Sequence, residues 1–156
     1  MMLAVCIMPI VMAQSSEVIS TTVTSTSVSV ELDRTSVNYG IMGPDEEELD
    51  PSGSITATNN GTEPIRLLFS GSDAVSSGGT NWTLSESTGT DGYVHSVIYS
   101  EEVETQLTTS GQVIFSYIGI EEDRYFSLKI YTPTNITDTG STFTTTVTVT
   151  AVAAEE

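Results

Sequence analysis

The chain has 156 residues, 38% of them hydrophobic, enough for one domain with a sizeable core. Four basic residues stand against 21 acidic ones, a formal net charge of −17 that repels nucleic-acid phosphates and anionic lipid. The only cysteine is Cys6, near the start, so the rest of the chain excludes disulfides, cysteine-built zinc sites and a cysteine nucleophile.

Residues 1–13, MMLAVCIMPIVMA, are apolar and uncharged. The run is too short to span a bilayer as a helix, and it ends on the small residue Ala13, as secretory cleavage requires. It reads as a signal peptide, truncated at its basic end because no Lys or Arg precedes the apolar stretch. The expectation is an extracellular or cell-surface chain whose mature part does not insert in a membrane.

Residues 14–24, QSSEVISTTVT, carry strand propensity and no helix signal. Their apolar positions Val18, Ile19 and Val23 do not all share one parity. This arm is either a loose terminus or a strand that pairs with another subunit. From Ser25 the alternation becomes regular, with Val28, Val30 and Leu32 on one face, so the domain is expected over residues 25–154.

Asp33-Arg34 turns the chain, and Ser36 to Ile41 is a short extended piece carrying Tyr39. Gly43 to Gly53 reads as a loop, with proline and glycine at both ends. Its carboxylates Asp45, Glu46, Glu47, Glu48 and Asp50 fill five of six positions. Clustered carboxylates suit calcium, the one cofactor the sequence raises, but the alternating Asp-x-Asp-x-Asp spacing of a calcium loop is missing. A solvated loop is the preferred reading.

Ser54 to Thr58, with Ile55 and Ala57 inward, and Pro64 to Ser70, with Ile65, Leu67 and Phe69 inward, flank Asn59-Asn60-Gly61, a tight-turn signal that predicts a hairpin. Gly71 to Thr80 reads as a glycine and serine loop before Trp82 and Leu84. Trp82, the sole tryptophan, is expected to plug the end of the core rather than serve as a carbohydrate platform. Tyr93 to Tyr99 is a strand holding the sole histidine, His95, expected at a surface or edge. Val113, Phe115 and Tyr117 alternate in the next strand, and Phe126, Leu128 and Ile130 in the one after. The last strand, Phe143 to Val152, sets Phe143, Thr145, Val147, Val149 and Ala151 on one face and four threonines on the other.

Helical periodicity is absent, and about seven or eight short strands with recurrent turns predict an antiparallel β-sandwich with Greek-key connections. The order Val37-Asn38-Tyr39-Gly40, a Pro44 loop, Thr58-Asn59-Asn60-Gly61-Thr62-Glu63-Pro64-Ile65, Tyr125-Phe126-Ser127-Leu128 and a final Thr/Val strand resembles Ig-like modules of archaeal and bacterial cell-surface proteins. The resemblance implies an Ig-like sandwich. Similar secreted domains build filaments by donating an N-terminal strand to the next subunit.

Three sequons, at Asn60, Asn81 and Asn135, fall in predicted loops and are candidate sites for N-linked glycans. Enzyme motifs are missing: there is no Gly-x-Ser-x-Gly elbow, no phosphate loop, and one histidine without a triad. The sole lysine, Lys129, lies on an outward face, against an isopeptide link. The expectation is a non-enzymatic, secreted structural subunit of a filament or surface layer. It would self-associate into a polymer through the arm residues Val18, Ile19 and Val23. The alternative is a calcium- or carbohydrate-dependent adhesin module.

Overall fold

The computed structural model describes residues 27–100 and 102–155. The leader and the arm, with Val18, Ile19 and Val23, lie outside these residues. Every regular element described is a strand. In chain order they are β1 (Glu31–Leu32), β2 (Glu47–Leu49), β3 (Ile55–Thr58), β4 (Ile65–Gly71), β5 (Ala74–Ser76) and β6 (Asn81–Leu84). They continue as β7 (Gly92–Tyr99), β8 (Val103–Gln106), β9 (Gln112–Ile118), β10 (Asp123–Tyr131), β11 (Phe143–Thr144) and β12 (Val147–Ala153).

Two sheets form. The larger runs β1-β3-β10-β7-β6-β5-β11, with β2 added along β10 and β8 along β7; the smaller is β12-β4-β9. All pairings are antiparallel except β6 with β7, which run parallel through Thr83 and Gly92. The two-residue rhythm explains why the sheets meet. Ile65, Leu67 and Phe69 of β4 are fully buried on one face. They share one cluster with Ile55 and Ala57 of β3, Val97 of β7, and Phe126 and Leu128 of β10. The Phe69 ring stands edge-on to Phe126, with centroids 4.9 Å apart. Each large side chain buried this fully contributes about 1.5–3 kcal/mol.

The chain departs from its sequence pattern where partners are chosen over distance. The expected hairpin across Asn59-Asn60-Gly61 does not form. β3 pairs β1 and β10, while β4 pairs β12 and β9, so this segment crosses between sheets. Asn59 is the reason. It is fully buried, and its Nδ2 donates to the carbonyls of Glu63, Ile118 and Gly119 while its Oδ1 accepts from Gly61 N. Gly61 is needed for close approach: a Cβ there would lie 2.5 Å from Ser27 O.

Two expected loops contain strands. β2 lies inside the Gly43–Gly53 stretch, pairing Glu47, Glu48 and Leu49 with Tyr131, Ile130 and Lys129. β5 lies inside the Gly71–Thr80 stretch and pairs β6 and β11. Both are three-residue segments recruited by a longer neighbour, a signal too short to read locally. β8, also unexpected, pairs β7. Of the regular strand expected from Ser25, the described part, from Ser27, pairs as a strand only at Glu31–Leu32. In β9 the expected alternation fails: Val113 and Tyr117 are exposed while Ile114, Phe115 and Ile118 are buried. The β4–β9 register slips on both sides of Leu67, and each slip reverses the facing of the residues beyond it.

His95 is not a surface or edge residue. Strand β7 has partners on both sides, and His95 is 2% exposed on the inner face with Tyr93 and Val97. The last ribbon keeps its parity but changes sheets. Thr144, Thr146, Thr148 and Thr150 are exposed, and Phe143, Thr145, Val147 and Val149 are half-buried. β11 belongs to the larger sheet and β12 to the smaller.

Candidate functional site

Among the described residues, the ribbon from Phe143 to Ala153 has one bare edge. Among the described residues β11 pairs only β5, and β12 pairs only β4. Opposite it runs a strap, Thr35 to Met42, whose main chain makes no hydrogen bond to the main chain of any described residue. Positive φ at Gly40 lets the strap bend, and Gly40 N is held by Asn38 Oδ1 at 2.9 Å. Strap and ribbon are the two walls of a groove. A chamber of about 290 Å³ lies between Leu32, Val37, Ile55 and Phe126 on one side and Val147 and Val149 on the other. A wider, solvent-open chamber of about 800 Å³ continues from it over Trp82, Ile130 and Phe143. Both chambers are bounded by Val37, Tyr39, Thr144 and Thr145, so they form one passage.

The floor of the passage is fixed by three contacts. Trp82 is 7% exposed and stacks on Phe143, with centroids 4.0 Å apart and planes 20° apart. It sits with Ala74, Tyr93 and Ile130 in a second cluster, which is the core-end position expected of it. Midway, Thr145 Oγ1 donates to Ser72 O at 2.9 Å and lies 2.6 Å from the Tyr93 hydroxyl. Burial raises the Tyr93 pKa to about 12. Next to it, the Tyr39 hydroxyl lies 3.0 Å from His95 Nε2, and the rings meet edge-on. Burial holds His95 down at about 4 and pushes Tyr39 far above the ordinary phenol value. His95 is therefore neutral at pH 7. Its Nδ1, like Trp82 Nε1, is buried with no hydrogen-bond partner among the described residues.

One ion pair anchors the strap. Arg34 donates to both oxygens of Asp50, at 3.1 and 2.6 Å, and also to Gly53 O. The Asp50 side chain is fully buried. Asp50 is thus a structural anchor, separated in role from the other four carboxylates of its stretch. Asp45, Glu46, Glu47 and Glu48 are exposed. Glu46 accepts from Gly43 N at 2.6 Å and Glu47 pairs Lys129 at 3.1 Å. Among the described residues no group of three or more His, Cys, Asp or Glu converges as metal ligands would.

The asparagines of the three sequons are exposed. Asn60 is in the sheet-crossing connector. Asn81 is the first residue of β6 rather than a loop residue, and Asn135 bridges Thr90. Lys129 faces outward, as expected.

The strap, Tyr39 and His95 were not read as a site from the sequence. The available signal was the shared parity of Val37 and Tyr39 beside Gly40, in a segment too short to call a strand. Comparison with family models, with characterised proteins and with solved structures gives no match.

Proposed function

We propose that this chain is a secreted structural subunit that assembles head-to-tail, its N-terminal arm lying as a strand against the bare ribbon edge of the next subunit. The observation that carries the reading is that, among the described residues, the edge of β11 and β12 is unpaired beside an apolar passage that enters the core. A bare edge offers a row of main-chain donors and acceptors, and an added strand gains those bonds while its alternate side chains fill pockets. The arm supplies β-prone sequence with Val18, Ile19 and Val23. The two-sheet core with strands β3, β10 and β7 against β12, β4 and β9 supports an Ig-like, Greek-key sandwich as the finer description of the fold. A polymer built this way, carried to the cell exterior by the leader, suits a filament or surface layer, with Asn60, Asn81 and Asn135 open to glycans.

The alternative, a calcium- or carbohydrate-dependent adhesin, has less support. Phe143 covers a face of Trp82, and among the described residues no three acidic side chains come together as metal ligands would.

Deleting residues 14–24 leaves a folded monomer and abolishes polymers by light scattering and electron microscopy. Polymers that survive the deletion refute the reading. Because each subunit carries a formal charge of −17, polymerisation of the intact chain rises with salt, as the screening length falls from about 30 Å at 0.01 M to about 8 Å at 0.15 M.

A further inference from the structure

We infer that the arm seats antiparallel to the ribbon of the neighbouring subunit, with Val23 over the Trp82–Phe143 chamber and Ile19 in the chamber beside Val147. This rests on the strand-donation reading and adds its direction and register.

Direction follows from where the described chain begins. Ser27 is tied to the sheet-crossing connector, since Thr62 N donates to Ser27 O at 3.0 Å and Ser27 N donates to Thr62 Oγ1 at 2.8 Å. The ribbon ends at the same pole, where Ala154 N donates to Pro64 O at 3.0 Å. The arm therefore leaves its own molecule at the pole where β12 finishes. Folding back on its own ribbon would require a reversal at Ser27 and a strand parallel to β12. Stacked head-to-tail, that pole meets the opposite end of the next molecule, where the ribbon begins at Phe143. Residue 26 then enters first and residue 14 lies deepest. In that direction the arm runs antiparallel to β12, the geometry in which paired hydrogen bonds are the more stable.

Register follows from spacing. Residues 14–26 extended span about 43 Å, the same as thirteen ribbon residues from Ser141 to Ala153. Ile19, Thr21 and Val23 share one parity. Phe143 lines only the wider chamber and Val147 only the smaller one, and these two positions are four ribbon residues apart, the separation of Ile19 from Val23. Setting Val23 opposite Phe143 places Ile19 opposite Val147. Thr21 then falls opposite Thr145, the one polar position on the inner face of this stretch, beside the Tyr93 hydroxyl. Glu17, the sole charge of residues 14–26, falls opposite Val149, which lines the same chamber as Arg34.

The outward residues make the test. Antiparallel seating sets Ser20 opposite Thr146 and Thr22 opposite Thr144; parallel seating over the same chambers sets Thr22 opposite Thr146 and Ser20 opposite Thr144. Directly opposed residues stand about 4.5–5.5 Å apart, within disulfide range. Thr144 and Thr146 are exposed, so cysteines there spare the core. In the full chain carrying Cys6→Ser, S20C/T146C and T22C/T144C are oxidised and run on a denaturing gel without reductant. A ladder of covalent oligomers from these two pairs, with little from T22C/T146C and S20C/T144C, is the expected result. Bonds within single chains from the latter two pairs overturn the inference, and the strand-donation reading with it. No bond from any pair in a chain that polymerises overturns this register and direction, while strand donation then stands or falls on the arm deletion.

Discussion

Tyr39 and His95 are 56 residues apart in sequence, yet the tyrosine hydroxyl lies 3.0 Å from the histidine Nε2 at the floor of the groove. The pair joins the strap to the central strand β7 and leaves the imidazole 2% exposed.

That burial sets a pH dependence. Unfolded, His95 binds a proton near pH 6.5; folded, it does so only near 4. Between these values the unfolded chain holds more protons, so stability is full above 6.5 and is lost as pH falls through the window. The loss is about 3 kcal/mol. Around the imidazole stand Tyr39 from the strap and Tyr93 from its own strand, both neutral here, with Arg34 and Asp50 beyond Tyr39. His95→Phe removes this limb in urea unfolding between pH 7.5 and 4.5. An equally steep loss in that variant would contradict the assignment. Asp33 and Asp91 are both held below their ordinary values, by hydrogen bonds from Thr56 and Thr137 respectively, and leave a separate limb at lower pH.

The Arg34–Asp50 pair predicts a second effect. Removing Arg34 leaves a fully buried carboxylate without its countercharge. Arg34 is itself partly exposed, so the cost of Arg34→Ala is about 2–3 kcal/mol, below the usual range for a buried pair. Arg34→Lys recovers little, because a single ammonium cannot replace the forked contact. The double change Arg34→Met with Asp50→Leu recovers most of the loss in thermal unfolding. If it is no more stable than Arg34→Ala, the penalty does not come from the stranded charge.

The connector supplies a third. Asn59→Ala strands the carbonyls of Glu63, Ile118 and Gly119 and costs about 2–3 kcal/mol. Gly61→Ala pushes a Cβ against Ser27 O and Ser29 N, both main-chain atoms. Its expected signature is loss of hydrogen-exchange protection at Thr62 N, which Ser27 O accepts, with β4 still protected. Unchanged protection at Thr62 would show that the first segment yields without detaching.

Some of this was legible locally. Side chains in a strand alternate by geometry, so Ile65, Leu67 and Phe69, or Phe126, Leu128 and Ile130, announce their buried face without knowledge of any partner. The threonine face of the last ribbon is legible for the same reason. Where alternation breaks, in β9, the cause is the β4 register, which belongs to two strands at once. Asn59-Asn60-Gly61 misleads because a residue pair that suits a tight turn also suits a buried cap: the same amide can bond its own loop or a distant one.

Sequence by itself therefore determined that the chain is built of strands and, in β3, β4 and β10, which residues face inward. Tertiary structure decided which strands are neighbours, that His95 is interior, and that, among the described residues, the last ribbon keeps an unpaired edge above an apolar passage. The physical reason is range. Facing is fixed by the geometry of one residue and the next, whereas partnership and vacancy are fixed by competition among segments tens of residues apart, which no local pattern records.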